Sequence, residues 1–192
     1  AAAAIRSGAT KAAGFSKKHI ALMCASHQGE PKHVETAKEM MDCLGLNIDD
    51  FECGVHYPSD QSSRRELVKK NMPALALHNN CSGKHAGMLA LAMHLAGSAF
   101  GYIKKDHPVQ ENIFSLLKEY TGLNVISSSV DGCSAPAPFL TLTQMASLYQ
   151  LLGSSNFEEL NVAYDSMVKF PFLISGTGGF DTEFIKALKG RA

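Results

Sequence analysis

The segment from Gly83 to about Leu95 limits the possible folds more than any other. Alanine, leucine and methionine cover much of its surface at helical spacing. A helix that is apolar on most sides has to lie deep in a core. Just ahead of it, His78-Asn-Asn-Cys-Ser-Gly-Lys-His85 crowds polar and cationic groups into one loop. The pattern therefore delivers a loop of reactive side chains to the start of a buried helix. A chain of 192 residues is long enough to build the surrounding core within one domain.

The flanking segments suggest the remaining elements. Ile20 to Ala25 is a short apolar run that reads as a buried strand. Pro31 opens a helix to about Leu44, with Val34, Ala37, Met41 and Leu44 on one face and Gly45 as its stop. Asp49 to Arg64 is polar and rich in Gly, Pro and Ser, and is expected to be mostly loop. Pro108 to Tyr120 reads as a helix with Val109, Ile113, Leu116 and Leu117 inward and Gly122 after it. Val125 to Val130 looks like a strand that runs into a tight turn at Asp131-Gly-Cys-Ser-Ala-Pro136. Thr141 with Gln144, and Ser155 with Glu158, form capping boxes for helices to about Leu152 and Phe170. Ser175 to Ala192 begins as a glycine-rich loop and ends as a short helix. Helices outnumber strands, so the expected class is mixed α/β or α+β, helix-rich.

Charge narrows the partners. Eighteen basic and 18 acidic side chains cancel, which argues against a general electrostatic grip on nucleic acid or an anionic membrane. The longest apolar stretch, Met88 to Ala96, is too short to span a bilayer and contains His94. Ala1 to Ala4 followed by Arg6 does not have the pattern of a signal peptide. Five cysteines with scattered spacing, Cys24, Cys43, Cys53, Cys81 and Cys133, point to reduced thiols and a cytoplasmic home.

Three segments can carry chemistry. In Cys24-Ala-Ser-His-Gln-Gly-Glu-Pro-Lys-His33, the Ser26 hydroxyl has His27 beside it and Glu30 and His33 near. A hydroxyl needs a base to become a nucleophile. The plainer reading makes Ser26 or Glu30 a cap of the next helix. In the His78 segment, Cys81 faces a helix N-terminus and Lys84, both of which favour a thiolate. Asp131-Gly-Cys-Ser-Ala-Pro136 adds a second thiol and an acid. Cys81 and Cys133 could each give a soft ligand to one metal, completed by His78, His85 or Lys84, or both could be inert buried thiols. Two further matches are set aside. Ser166-Met-Val-Lys169 lies inside an amphipathic helix, and Gly176-Thr-Gly-Gly179 reads as a turn. Gly83-Lys84 lacks the remaining residues of a phosphate loop.

Together, Cys24 to His33, Glu52-Cys-Gly-Val-His-Tyr-Pro58, His78 to Met88 and Asp131 to Pro136 resemble the hallmark blocks of one family, in its order and at similar spacing. It is the L-asparaginase class whose fold is similar to serine β-lactamases and penicillin-binding proteins. The resemblance runs from about Ile20 to the end. It implies hydrolysis of L-asparagine to aspartate and ammonia through a serine acyl-enzyme served by Ser–Lys pairs. Ser26 matches one of the two serines. Arg6-Ser7-Gly-Ala-Thr-Lys11 resembles the segment of the other, with Lys11 one residue too far along. Arg6, His27 and Asp131 fall at substrate-binding positions, and Cys81, Lys84 and Cys133 match a metal site, usually zinc. The stretch from Ser7 to Ser26 is shorter than the family's. The segment that supplies the lysine partner of Ser26 has no match before Ala192, so the single domain is expected to be incomplete. A homodimer is a further implication.

Two other functions fit the same residues. One is a cysteine hydrolase built on Cys81, with His78 or His85 as base. The other is a metal-binding module without catalysis.

Overall fold

The structure, a computed structural model, describes residues 1–154 and 156–188. Its helices are α1 (Ala2–Arg6), α2 (Ala9–Ala12), α3 (Lys17–Met23), α4 (Pro31–Leu44), α5 (Gln61–Lys69), α6 (Ser82–Ala96), α7 (Pro108–Thr121), α8 (Leu142–Ser154), α9 (Glu158–Lys169), α10 (Pro171–Ser175) and α11 (Phe180–Ala187). Short 3-10 turns occupy Ile48–Asp50 and Ala76–His78. The strands β1 (Ser128–Val130) and β2 (Pro136–Pro138) form one antiparallel pair, with Ser129 opposite Ala137. The chain is thus helix-rich with a small sheet, within the expected mixed class.

Helix α6 is the axis of the core, as its composition requires. Every residue from His85 to Ala92 is buried, as are Ser82 and Gly83. It packs against α1, α2, α3, α4 and α7. The contact with α3 depends on two glycines one turn apart. A Cβ on Gly83 would lie 2.1 Å from the Leu22 carbonyl oxygen, and one on Gly87 would lie 2.7 Å from the Met23 methyl. Without those side chains, the end of α3 can rest directly on the first turns of α6. This close approach carries the Ser26 loop, which follows α3, to the start of α6.

Helix α4 matches its expected limits, with Gly45 left-handed as its stop, and α7 likewise ends at a left-handed Gly122. The Thr141–Gln144 capping box is present. The Thr141 N–H donates to Gln144 Oε1 at 2.8 Å, and the Gln144 N–H donates to Thr141 Oγ1 at 3.2 Å. The second box falls on Ser155, which lies outside the described residues. The Ser166 hydroxyl is buried in α9 and donates to the Val162 carbonyl.

Three expectations need correction. Ile20 to Ala25 is not a strand: Ile20 to Met23 belong to α3, and both faces of that helix are buried. A continuous apolar run cannot by itself distinguish a buried strand from a buried helix. The region expected to be loop contains the start of α5, which has no buried residue. It therefore lacks the apolar stripe that marks most helices. Its start is held by Asp60, whose Oδ2 accepts the Ser63 N–H at 2.6 Å. Finally, the strand expected over Val125 to Val130 shrinks to Ser128–Val130. Its partner contains Pro136 and Pro138, which have no N–H to extend a ladder.

Candidate active site and metal centre

Ser26 lies on the loop between α3 and α4 and is exposed. Its Oγ accepts a hydrogen bond from Asn80 Nδ2 at 2.9 Å. The backbone repeats the link, because the His27 N–H donates to the Asn80 carbonyl at 3.2 Å. Two segments 54 residues apart in sequence are thereby joined at the residue before Cys81.

His27 sits beneath this loop, 1% exposed. Its Nδ1 accepts the Gly29 N–H at 3.1 Å, so Nε2 carries the proton and donates to Ser82 Oγ at 2.9 Å. The ring stacks on His33, and His33 stacks on Phe172. Burial, followed by the neighbouring His33, His56 and His78, pushes the His27 pKa down to about 3. With both ring nitrogens bonded, His27 supports the loop from below.

Glu30 is the N-cap of α4. Its carboxylate accepts the Thr177 N–H at 2.6 Å and the Thr177 hydroxyl at 2.8 Å. A Cβ on Gly176 would come within 2.3 Å of Glu30 Oε1, so the glycine-rich turn of the tail closes directly on the Ser26 loop. On the other side, the Gln28 carbonyl accepts the Asp60 N–H at 3.0 Å.

The second half of the site joins the first turn of α6 to the turn at Asp131. The ligand atoms of Cys81, Asp131 and Cys133 all lie within 4.8 Å of one another. Lys84 Nζ donates to Asp131 Oδ2 at 2.8 Å, and that oxygen is 3.4 Å from the Cys133 sulfur. The Asp131 Oδ1 accepts the Gly132 N–H at 2.7 Å. The Lys84 hydrogen bond holds the Asp131 carboxyl below its ordinary range. Burial works to lower the Lys84 pKa, but its bonds to Asp131 and Cys133 outweigh that and raise it. A hydrogen bond between the two sulfurs lowers the Cys133 pKa and raises that of Cys81. The cluster therefore brings two sulfurs, one carboxylate and the Lys84 ammonium group together.

Two sulfurs and a carboxylate within this span suit a borderline-soft divalent ion such as zinc. Cys81, Cys133 and Asp131 would hold it. Lys84, cationic here, would have to lose its proton to join them. Asp131 is thus a candidate ligand that the sequence had marked only for substrate. Neither candidate imidazole base is hydrogen-bonded to Cys81. His78 Nδ1 accepts the Leu75 N–H, and His85 Nδ1 is paired with Tyr102 Oη at 2.7 Å. The buried His85 Nε2 meets no hydrogen-bond partner among the described residues, although the ring is near enough to Cys133 to favour its thiolate.

The upstream residues lie apart from this arrangement in their bonding. Ser7 ends α1, its hydroxyl donating to the Ala4 carbonyl and accepting the Ala9 N–H. Lys11 is exposed on α2, and no hydrogen bond joins it to Ser7. Arg6 is committed to Glu159 at 2.6 Å and Glu119 at 2.5 Å, tying α1 to α7 and α9. A cavity of about 380 Å³ opens beside Lys84 and Asp131, walled by Met88, Gln110 and Tyr120 among others, and Ser26 does not line it.

Two residues beside the site were not singled out from sequence. They are Asn80, which bonds to the Ser26 loop, and His56, whose Nε2 accepts the Asn80 N–H at 3.1 Å. Both lie within the blocks quoted above, but nothing local distinguishes them. No curated protein matches this chain. The family model for L-asparaginase II matches residues 1–192. With the match running the whole length of the sequence, the chain belongs to the L-asparaginase II family.

Proposed function

We propose that the protein hydrolyses L-asparagine to L-aspartate and ammonia, with Ser26 as nucleophile and Cys81, Asp131 and Cys133 as a metal centre beside it. The observation that carries this reading is the 2.9 Å bond from Asn80 Nδ2 to Ser26 Oγ, which ties an exposed hydroxyl to the segment leading into the thiol cluster. In the proposed reaction Ser26 Oγ bonds to the side-chain carbonyl carbon of asparagine. The C–N bond breaks, and ammonia departs with the proton that the hydroxyl loses. Water then cleaves the ester, its OH completing the aspartate carboxyl group and its other hydrogen restoring the Ser26 hydroxyl. Such a serine needs a base and donors for the oxyanion. Bound zinc would add positive charge that favours the oxyanion. Lys84 serves as a cation beside Asp131 and not as the base, because its proton is held by that carboxylate. His27 holds the loop in place from beneath. A fold similar to the serine β-lactamases is part of the same reading and is supported by the family membership.

Ser26→Ala is expected to lower the rate of ammonia release from L-asparagine by more than about a hundredfold, within the range lost when an activated nucleophile is removed. Near-normal turnover in that variant would remove Ser26 from the reaction.

A further inference from the structure

We infer that Asn80 is a catalytic residue of the Ser26 site, donating from Nδ2 to Ser26 Oγ, and that His56 is the positioning residue that anchors it through the Asn80 backbone N–H. This rests on Ser26 being the nucleophile. The direction of the Asn80–Ser26 bond decides what the serine can do. Because Oγ accepts from Nδ2 at 2.9 Å, its own O–H is left free to point at a base. If the carboxamide were turned over, its oxygen would accept the serine proton and hold it. A donor on Oγ also gains strength as that oxygen becomes negatively charged on losing its proton.

His56 anchors the Asn80 main chain. Its Nδ1–H donates to the Tyr57 carbonyl at 2.8 Å, so in the neutral ring Nε2 is an acceptor. That lone pair is taken by the Asn80 backbone N–H at 3.1 Å. Oδ1 lies 3.1 Å from Nε2 but receives no proton from it in that ring, so the placement of the carboxamide rests on its anchored main chain and its bond to Ser26. The Asn80 main chain is held separately, by His56 on its N–H and by His27 on its carbonyl. The side chain can thus be changed while its backbone stays anchored.

The test uses Asn80→Leu, close in shape but without a donor, together with His56→Ala and His56→Gln. Two rates are followed: ammonia release from L-asparagine, and covalent labelling of Ser26 by a fluorophosphonate. Asn80→Leu should lower kcat about tenfold to a hundredfold with KM changed less than about twofold, and slow the labelling in parallel. His56→Ala should lose part of kcat. His56→Gln, whose side-chain oxygen can still accept the Asn80 N–H, should recover most of it. Unchanged kcat and labelling in Asn80→Leu, or a loss confined to KM, overturns the inference and leaves the serine mechanism standing. A wild-type Ser26 inert to both asparagine and fluorophosphonate overturns both.

Discussion

At the scale of single residues, His27 shows how the site is held and what that costs in acid. Burial keeps its ring neutral in the folded protein, with a pKa pushed down from 6.5 to about 3. The unfolded chain takes up a proton near 6.5 that the native protein refuses, so stability falls as pH drops from about 6.5 towards 3. The maximal slope is about 1.4 kcal/mol per pH unit for one such proton. His33 and His78 are shifted in the same direction, also chiefly by burial. His27→Gln should flatten the stability profile between pH 7 and pH 5, as read by urea unfolding. A slope identical to wild type would mean that His27 does not refuse its proton in the native state. Ser26, Cys81, Lys84, Asp131 and Cys133 were legible in the sequence because each sits in a compact block of polar residues next to an apolar run. Asn80 and His56 were not, since their importance comes from contacts across 54 and 24 residues. Asp131 as a possible ligand was missed for a similar reason: the turn at Gly132 folds its carboxylate back beside Cys133.

At the scale of elements, the junction of α3 with α6 decides where the Ser26 loop lies. Gly83→Ala would gain up to about 1 kcal/mol of helix propensity. The added methyl would meet a backbone carbonyl at 2.1 Å, and overpacking of this kind costs about 1–3 kcal/mol. Backbone cannot move aside as the end of a flexible side chain can, so the clash should dominate. The variant should unfold at lower temperature and lose activity with it, and a raised melting temperature would contradict this packing. The helix α5 gives a contrasting case. It has no fully buried residue, and Asp60 caps its start. Asp60→Ala should cost about 1 kcal/mol in denaturant unfolding, and an unchanged midpoint would mean that the cap contributes nothing. These two helices also explain where the sequence misled. Helix α3 is apolar on both faces, so it has no helical stripe, and α5 is polar on both, so it has none either. The helices with one apolar face and a glycine stop, α4 and α7, were legible almost to the residue.

At the scale of the whole molecule, the described residues build a helical body around α6, and the chemistry gathers at one end of that helix. The Ser26 loop, the Cys81 turn and the Asp131 turn meet there because α6 is too apolar to start anywhere but in the core. No helix among the described residues is long and apolar enough to cross a membrane. If the thiol cluster holds zinc, binding should link to folding. At a free concentration about a hundred times Kd, the ion should add about 2.7 kcal/mol of stability. Cys81→Ser with Cys133→Ser should abolish that gain in a thermal unfolding series, and an equal gain in the double variant would place the ion elsewhere. The central claim is that Ser26 is the atom donor to the acyl-enzyme, and it is tested most directly by covalent trapping. The wild-type protein is treated with a diazoketone analogue of asparagine, and the modified peptide is mapped by mass spectrometry. Loss of activity with the label on Ser26 is the predicted result. Loss of activity with the label on Cys81, or on any residue other than Ser26, would contradict it.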